Sequence, residues 1–84
     1  MPSLTIVNSC NIPVVVTLNN KETTIPEGGQ IIRTYDGRVS MRAKPSGKQA
    51  GMFKASEPAA QDMVGDIILT VAVVDNDNAK LGFR

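Results

Sequence analysis

The chain contains no histidine and no tryptophan, and it has a single cysteine among its 84 residues. Histidine is the commonest general base and a frequent metal ligand, so its absence excludes Ser-His-Asp and Cys-His mechanisms within one chain. Structural zinc needs about four cysteine or histidine ligands, and Cys10 alone cannot supply them. We therefore expect a protein that is not an enzyme and that binds no cofactor or metal.

The same scarcity of cysteine bears on the compartment. Cys10 cannot form an intramolecular disulfide, whereas small secreted domains usually hold several. The N-terminus lacks the basic and apolar segments of a secretory signal. Apolar runs such as 14–16 and 67–69 fall far short of the roughly 20 residues that span a bilayer. These features favour a reducing compartment, with the cytoplasm as the expected location, and they predict no membrane span.

Length and composition predict one domain, residues 1–84, with an aliphatic core. The hydrophobic fraction is 42%, but only one tyrosine and two phenylalanines are present.

Charge is distributed unevenly: residues 30–56 hold six basic side chains against one acidic, and residues 57–84 hold five acidic against two basic. This opposition predicts self-association in which the basic middle of one copy meets the acidic end of another.

Short β-branched segments separated by turn residues recur along the chain. Residues 4–8 alternate, 14–18 favour a pleated strand, and turn formers lie between and after them. This spacing predicts an all-β fold, a small antiparallel β-sandwich or closed barrel of about seven or eight short strands. A short strand is expected at 50–54, with Met52 or Phe53 directed inward. One short helix is expected near 56–63, because Ser56 is a good N-cap.

The pair Asp36-Gly37 lies between two alternating segments, which predicts a tight type I′ hairpin. In a two-residue loop Tyr35 faces Arg38 and Ile32 faces Met41. One side of this hairpin would be core, and it carries Ile32, Thr34, Val39 and Met41. The other side carries Ile31, Arg33, Tyr35, Arg38, Ser40 and Arg42.

Four residues of that second side, Arg33, Tyr35, Arg38 and Arg42, form the candidate ligand or partner face. Arginine presents a planar fork to phosphate or carboxylate, and Tyr35 presents a stacking surface. Such a face can bind an anion or single-stranded nucleic acid. The alternative is an ordinary solvated sheet face on which Arg38 stacks on Tyr35 and the charges prevent edge pairing.

Two C-terminal segments complete the pattern. Residues 67–74 are apolar at both odd and even positions, so both faces of this strand carry apolar side chains. We expect it to be covered on both faces, either centrally within the domain or by another subunit. Residues 75–78, Asp-Asn-Asp-Asn, offer oxygen ligands but lack the glycine and distant glutamate of an EF-hand. A solvated hairpin turn is expected there.

The N-terminal half resembles the opening strands of thaumatin-like β-sandwich proteins. The resemblance rests on the Ile-Val-Asn-X-Cys pattern at 6–10, alternating valines at 14–16, Gly29, and the Gly-Arg-Val-X-X-Arg pattern at 37–42. It covers about half the chain. The family's further disulfide cysteines and tryptophans are missing, and the chain is too short to hold the family's acidic cleft. The resemblance implies a β-sandwich and no particular activity.

Together these observations favour a non-catalytic β-sandwich recognition or assembly module that acts through protein-protein contacts or as a homo-oligomer. An anion or single-stranded nucleic-acid binder that uses the arginine-tyrosine face is one alternative. A carbohydrate-binding, lectin-like module is another, although Tyr35 and Phe53 offer little aromatic surface for a sugar platform.

Overall fold

The protein is a sandwich of two four-stranded β-sheets in the computed structural model, which describes residues 1–47 and 51–84. Sheet A has the strand order β4-β1-β7-β8, and sheet B has the order β3-β2-β5-β6. The strands across these described ranges are β1 (Ser3–Asn8), β2 (Val14–Leu18), β3 (Lys21–Ile25), β4 (Gln30–Thr34), β5 (Gly37–Pro45), β6 (Ala59–Met63), β7 (Ile67–Asp75) and β8 (Lys80–Phe83). The sheets do not close into a barrel, so the sandwich prediction is confirmed.

Among these eight strands, all pairs are antiparallel except one, the parallel pair of β1 with β7 in the centre of sheet A. The chain crosses to sheet B to build β5 and β6 before it returns as β7. It therefore re-enters sheet A beside β1 and in the same direction. The prediction of an antiparallel sandwich holds for every other pair of these strands.

The core lies between the sheets and is aliphatic, as the composition predicts. Burial alternates along β1, β2 and, from Arg38 onward, β5, because successive side chains of a strand point to opposite faces. The largest fully buried apolar side chains are Leu4, Ile6, Ile25, Leu81, Val14, Val16, Val39 and Val71. No aromatic side chain is among them. Tyr35, Phe53 and Phe83 instead pack at the margin of the core.

The predicted Asp36-Gly37 hairpin is wrong. β4 pairs with β1 in sheet A, and β5 pairs with β2 and β6 in sheet B, so this dipeptide connects the two sheets. Gly37 has a positive φ of 86°, but Asp36 does not, whereas a type I′ turn needs positive φ at both central residues. That condition is met by Asn19 and Asn20, with φ values of 48° and 70°, which join β2 to β3.

The core side predicted for that hairpin is consequently half wrong. Val39 and Met41 are buried, but Ile32 is 54% exposed and Thr34 is also exposed. Ile31 packs against the core instead, because its pairing partner on β1 is the inward-pointing Ile6. Which residues of β4 face inward is therefore determined by its pairing with β1, and not by pairing with β5.

The predicted helix near 56–63 is also wrong, since residues 59–63 form β6 on the edge of sheet B. Ser56 caps no helix. Its hydroxyl accepts a 2.8 Å hydrogen bond from the Ala43 amide, and its own amide donates a 2.7 Å bond to the Ala43 carbonyl. Backbone pairing with β5 thus holds the segment extended.

The predicted strand at 50–54 is reduced to a single bridge between Lys54 and Lys80 in the described part of that segment. Residue 50 lies outside the described residues. Phe53 packs against the core, as one of the two expected inward residues, while Met52 is 67% exposed.

Candidate functional site

The structure divides the four predicted site residues between the two sheets. Arg33 lies on β4 and Tyr35 directly after it, at one edge of sheet A. Arg38 and Arg42 lie on β5 and point to the outer face of sheet B, because the alternate residues of that strand are buried. The four residues therefore do not form one face, and the register that joined them does not exist.

The outer face of sheet B is charged and largely paired within the chain. Arg38 lies 3.8 Å from the Asp62 carboxylate on β6, and the Lys44 ammonium lies 2.8 Å from Glu22 on β3. The Arg42 Nε donates a 3.2 Å hydrogen bond to the Ser56 carbonyl. Part of the predicted opposition between a basic middle and an acidic end is thus satisfied inside one molecule.

Arg33 and Tyr35 instead border a cleft of about 280 Å³ between the edge strand β4 of sheet A and the edge strand β3 of sheet B. The cleft is lined by Leu18, Lys21, Thr23, Arg33, Thr34 and Tyr35. Burial raises the pKa of the Tyr35 hydroxyl, and the positive charge of Arg33 offsets part of that rise. Arg33 and Tyr35 therefore stay together beside this cleft, while Arg38 and Arg42 lie on the other sheet.

Lys21 and Thr23 were missed by sequence reasoning. Their partners on β2 are the buried Leu18 and Val16, so both side chains belong to the inner side of sheet B. A polar residue in an inward-facing position of a strand can mark a binding site. The sequence of β3 alone does not show which of its residues face inward. Only the β2–β3 pairing supplies this information.

The outer face of sheet A differs in chemistry from that of sheet B. The register places Ile32, Thr5 and Ile68 in one row across β4, β1 and β7. The neighbouring outward residues on these strands are Ser3, Val7, Gln30, Thr34 and Thr70. None of these eight residues is charged, while Ile32 and Ile68 are 54% and 72% exposed. This uncharged row is the second candidate surface.

The strand β7 is covered less completely than its apolar pattern predicts. It is central in sheet A, with Val71 fully buried on the inner side. On the outer side Ala72 is buried, but Ile68 is mostly exposed. A bulge follows Val73, and Val74 packs so closely on Gly82 that a Cβ added there would lie 2.6 Å from its Cγ2 atom. The described part of the chain therefore leaves part of this strand uncovered.

The remaining reactive and ligating groups are engaged in the fold. Cys10 is buried with its thiol 3.6 Å from the Val71 carbonyl, and burial raises its pKa, which disfavours the nucleophilic thiolate. Asp75 accepts hydrogen bonds from the backbone amides of Asp77 and Asn78, which closes the β7–β8 turn. Among the described residues, no three Cys, Asp or Glu side chains are grouped so that they could hold a metal ion.

A search of residues 1–47 and 51–84 for membrane-crossing elements finds no helix with sufficient length and apolar character. Comparison with known proteins finds no matching family model, no matching curated protein and no matching solved structure. The resemblance to thaumatin-like proteins stays a prediction.

Proposed function

We propose that the protein is a non-catalytic assembly module that self-associates through the outer face of sheet A. The observation that carries this proposal is the uncharged row in which Ile32 and Ile68 stand exposed on either side of Thr5. Burying an isoleucine side chain contributes roughly 1.5–3 kcal/mol, and leaving it in water forfeits that contribution.

A twofold symmetric contact suits this surface. In such a contact both copies use the same patch, so Ile32 and Ile68 of each copy are buried and the dimer buries four isoleucine side chains. The threonine and glutamine side chains around the row lose little on desolvation when they can hydrogen-bond across the contact or to water at its rim. The eight residues of this surface carry no charge themselves. Two ions border them: the Asp66 carboxylate accepts a hydrogen bond from the Ser3 amide, and Arg84 pairs with Thr70, so both belong to the polar rim of the contact.

The outer face of sheet B is a poorer surface for the same purpose. The charged groups of Arg38, Lys44, Glu22 and Asp62 are mostly exposed there. Desolvating these ions costs more than their mutual attraction returns unless the geometry is excellent. This contrast supports sheet A as the association face.

The absence of histidine supports the non-catalytic half of the proposal.

Carbohydrate binding is supported less well than association. Tyr35 and Phe53 are both half-buried against the core, which reduces the aromatic surface available to stack on a sugar ring.

The test is the molar mass of the chain in solution. At about 200 μM, which exceeds a micromolar dissociation constant, light scattering after size exclusion should give a dimer or larger assembly for the wild-type chain. Ile68→Lys should give a monomer, because it places a charge in the centre of the contact. Since Ile68 is 72% exposed, this change should not unfold the chain.

The matched control is Val64→Lys. Val64 is 92% exposed and lies in the turn between β6 and β7, away from the row. This variant should keep the wild-type molar mass. A monomeric wild-type chain at this concentration, or an Ile68→Lys variant that assembles as the wild type does, would overturn the proposal.

A further inference from the structure

Three polar residues occupy inward positions of the register at the facing edges of the two sheets; Thr23 is half-buried, whereas Lys21 and Arg33 are exposed. Lys21 and Thr23 share the inner side of β3 as the partners of buried β2 residues, and Arg33 pairs with the buried Leu4 on β1. Two cationic groups from different sheets thus border the same 280 Å³ cleft. Both cations are exposed to solvent, and together they give the cleft a positive charge that attracts an anion.

The nearest carboxylate in sequence does not neutralise this pair. Glu22 lies between Lys21 and Thr23, but the alternation of β3 turns its side chain to the other face of sheet B, where it pairs with Lys44. Of the residues that the structure describes, no acidic one lines the cleft. Within the same residues, neither Lys21 nor Arg33 forms a salt bridge.

The donors around the cleft match a phosphate group. The Arg33 guanidinium donates a 2.9 Å hydrogen bond from Nη1 to the Ile32 carbonyl and has further N–H donors. Lys21 supplies a compact ammonium charge, and Thr23 and Tyr35 supply hydroxyl groups. A carboxylate offers two oxygens to such a set, whereas a phosphate monoester offers three terminal oxygens and more negative charge. The cleft is also near the lower limit of small-molecule sites, so it suits a small ligand.

We propose that the cleft between β3 and β4 binds the phosphate group of a small phosphate monoester through Lys21 and Arg33, with Thr23 and Tyr35 as hydroxyl donors. This site replaces the arginine-tyrosine face expected from the sequence: it keeps Arg33 and Tyr35 and exchanges Arg38 and Arg42 for Lys21 and Thr23. It does not depend on the association of sheet A, because none of its four donor residues belongs to the uncharged row, although Thr34 borders both surfaces.

The test is isothermal titration of the full chain with glycerol 3-phosphate at low ionic strength, where exposed charges are least screened. We expect one site per chain for the ester and no binding of glycerol. The double variant Lys21→Gln with Arg33→Gln should weaken binding at least about tenfold, because it removes two charge-assisted hydrogen bonds.

The control is the double variant Lys54→Gln with Arg84→Gln, which removes one lysine and one arginine charge outside the cleft; among the described residues neither side chain forms a salt bridge. Its affinity for the ester should stay within about twofold of the wild type, since only screened long-range attraction is lost. Equal weakening in the two double variants would overturn the proposal in favour of nonspecific charge attraction.

Two further outcomes would also overturn it. The first is that the wild-type chain does not bind the ester. Lys21 and Arg33 would then be explained as charges that keep the edge strands from pairing with other chains. The second is that the wild-type chain binds an oligothymidylate without terminal phosphates but not the ester. If the Lys21→Gln, Arg33→Gln variant then loses this binding, the cleft is assigned to single-stranded nucleic acid.

Discussion

Asn8 is the one polar side chain among the largest fully buried residues of the described ranges, and all of its polar atoms are engaged. Its amide nitrogen donates to the carbonyls of Ile12 at 2.9 Å and of Ile25 and Pro26 at 3.1 Å. Its side-chain oxygen accepts a 2.9 Å hydrogen bond from the Cys10 amide. One side chain on β1 therefore holds both the loop that enters β2 and the end of β3, which joins the two sheets.

Replacing this side chain by Asn8→Ala should destabilise the protein by about 3 kcal/mol or more, because several buried backbone groups lose their partner at about 1–3 kcal/mol each. The free energy of unfolding in urea measures the effect. Asn11→Ala, at an exposed position close by, is the matched control and should change stability by less than about 0.5 kcal/mol. A loss below about 1 kcal/mol for Asn8→Ala would contradict this account.

At the scale of elements, the connection between β4 and β5 decides the architecture. It carries the chain from sheet A to sheet B through Asp36 and Gly37, and Gly37 adopts a φ of 86°. A residue with a Cβ atom is strained in this left-handed region by roughly 1–2 kcal/mol, whereas glycine is not. The glycine is thus required by the change of sheet and not by a hairpin.

Gly37→Ala should therefore cost roughly 1–2 kcal/mol of stability, measured by urea unfolding. Gly65→Ala separates the backbone effect from the effect of space. A Cβ at either position meets no atom within 4 Å, but only Gly37 has a positive φ. We expect Gly65→Ala to be neutral or to stabilise by up to about 1 kcal/mol. Equal effects of the two substitutions would exclude the backbone explanation.

At the scale of the whole molecule, the distribution of titratable groups predicts how stability depends on pH. A hydrogen bond from Lys80 lowers the pKa of Glu57 below its usual 4.5. A bond from the Ser3 amide lowers the pKa of Asp66, and a bond from the Asn78 side chain lowers the pKa of Asp75, each below the usual 3.8. Burial raises the pKa of the Cys10 thiol above its usual 9.0.

The signs of these shifts set the two limits of the stable range. The lowered carboxylate pKa values contribute stability that is present above pH 4.5 and is lost as the pH falls below 4.5 and then 3.8. The raised pKa of Cys10 has the opposite sign: the folded chain resists forming the thiolate, so stability falls as the pH rises above 9.0. Because the chain has no histidine, no side chain is expected to titrate around neutral pH.

The urea midpoint should therefore be flat between about pH 5.5 and pH 8 and should fall on both sides of that range. Asp66→Asn should make the acid limb shallower, since an amide in that position cannot be protonated in this range. A midpoint that changes steeply across neutral pH, or an acid limb unaltered by Asp66→Asn, would contradict the assignment of these groups.

Self-association also belongs to this scale. The sequence suggested it from the uneven charge and from the apolar strand at 67–74. Part of the charge opposition is already satisfied within the chain, because Arg38 pairs with Asp62. The exposed Ile68 lies on that apolar strand, and Ile32 on β4 adds a second exposed isoleucine that the sequence had assigned to the core. The uncharged row arises only because β4, which carries Ile32, and β7, which carries Ile68, flank the same strand of sheet A.

Local patterning was sufficient to predict the class of fold and, on β5, the inward Val39 and Met41. Alternation along β1, β2 and β5 is a local property, because neighbouring side chains of any strand point to opposite faces. It therefore indicates that alternate residues of these strands share a face, but in the run Val14-Val15-Val16 it does not determine which of the two faces is buried. The lack of histidine and the single cysteine likewise bear on chemistry through composition alone.

Which strands pair, and with them the candidate site, could be known only from the tertiary fold. Strand pairing depends on contacts between residues far apart in the chain, and the local turn signal at Asp36-Gly37 did not determine it. Pairing of β4 with β1 exposed Ile32 and placed Arg33 and Tyr35 beside Lys21 instead of Arg38. A shift of one residue in the parity of a strand moves every side chain to the other face, so residue types predict a surface only after the pairing is known.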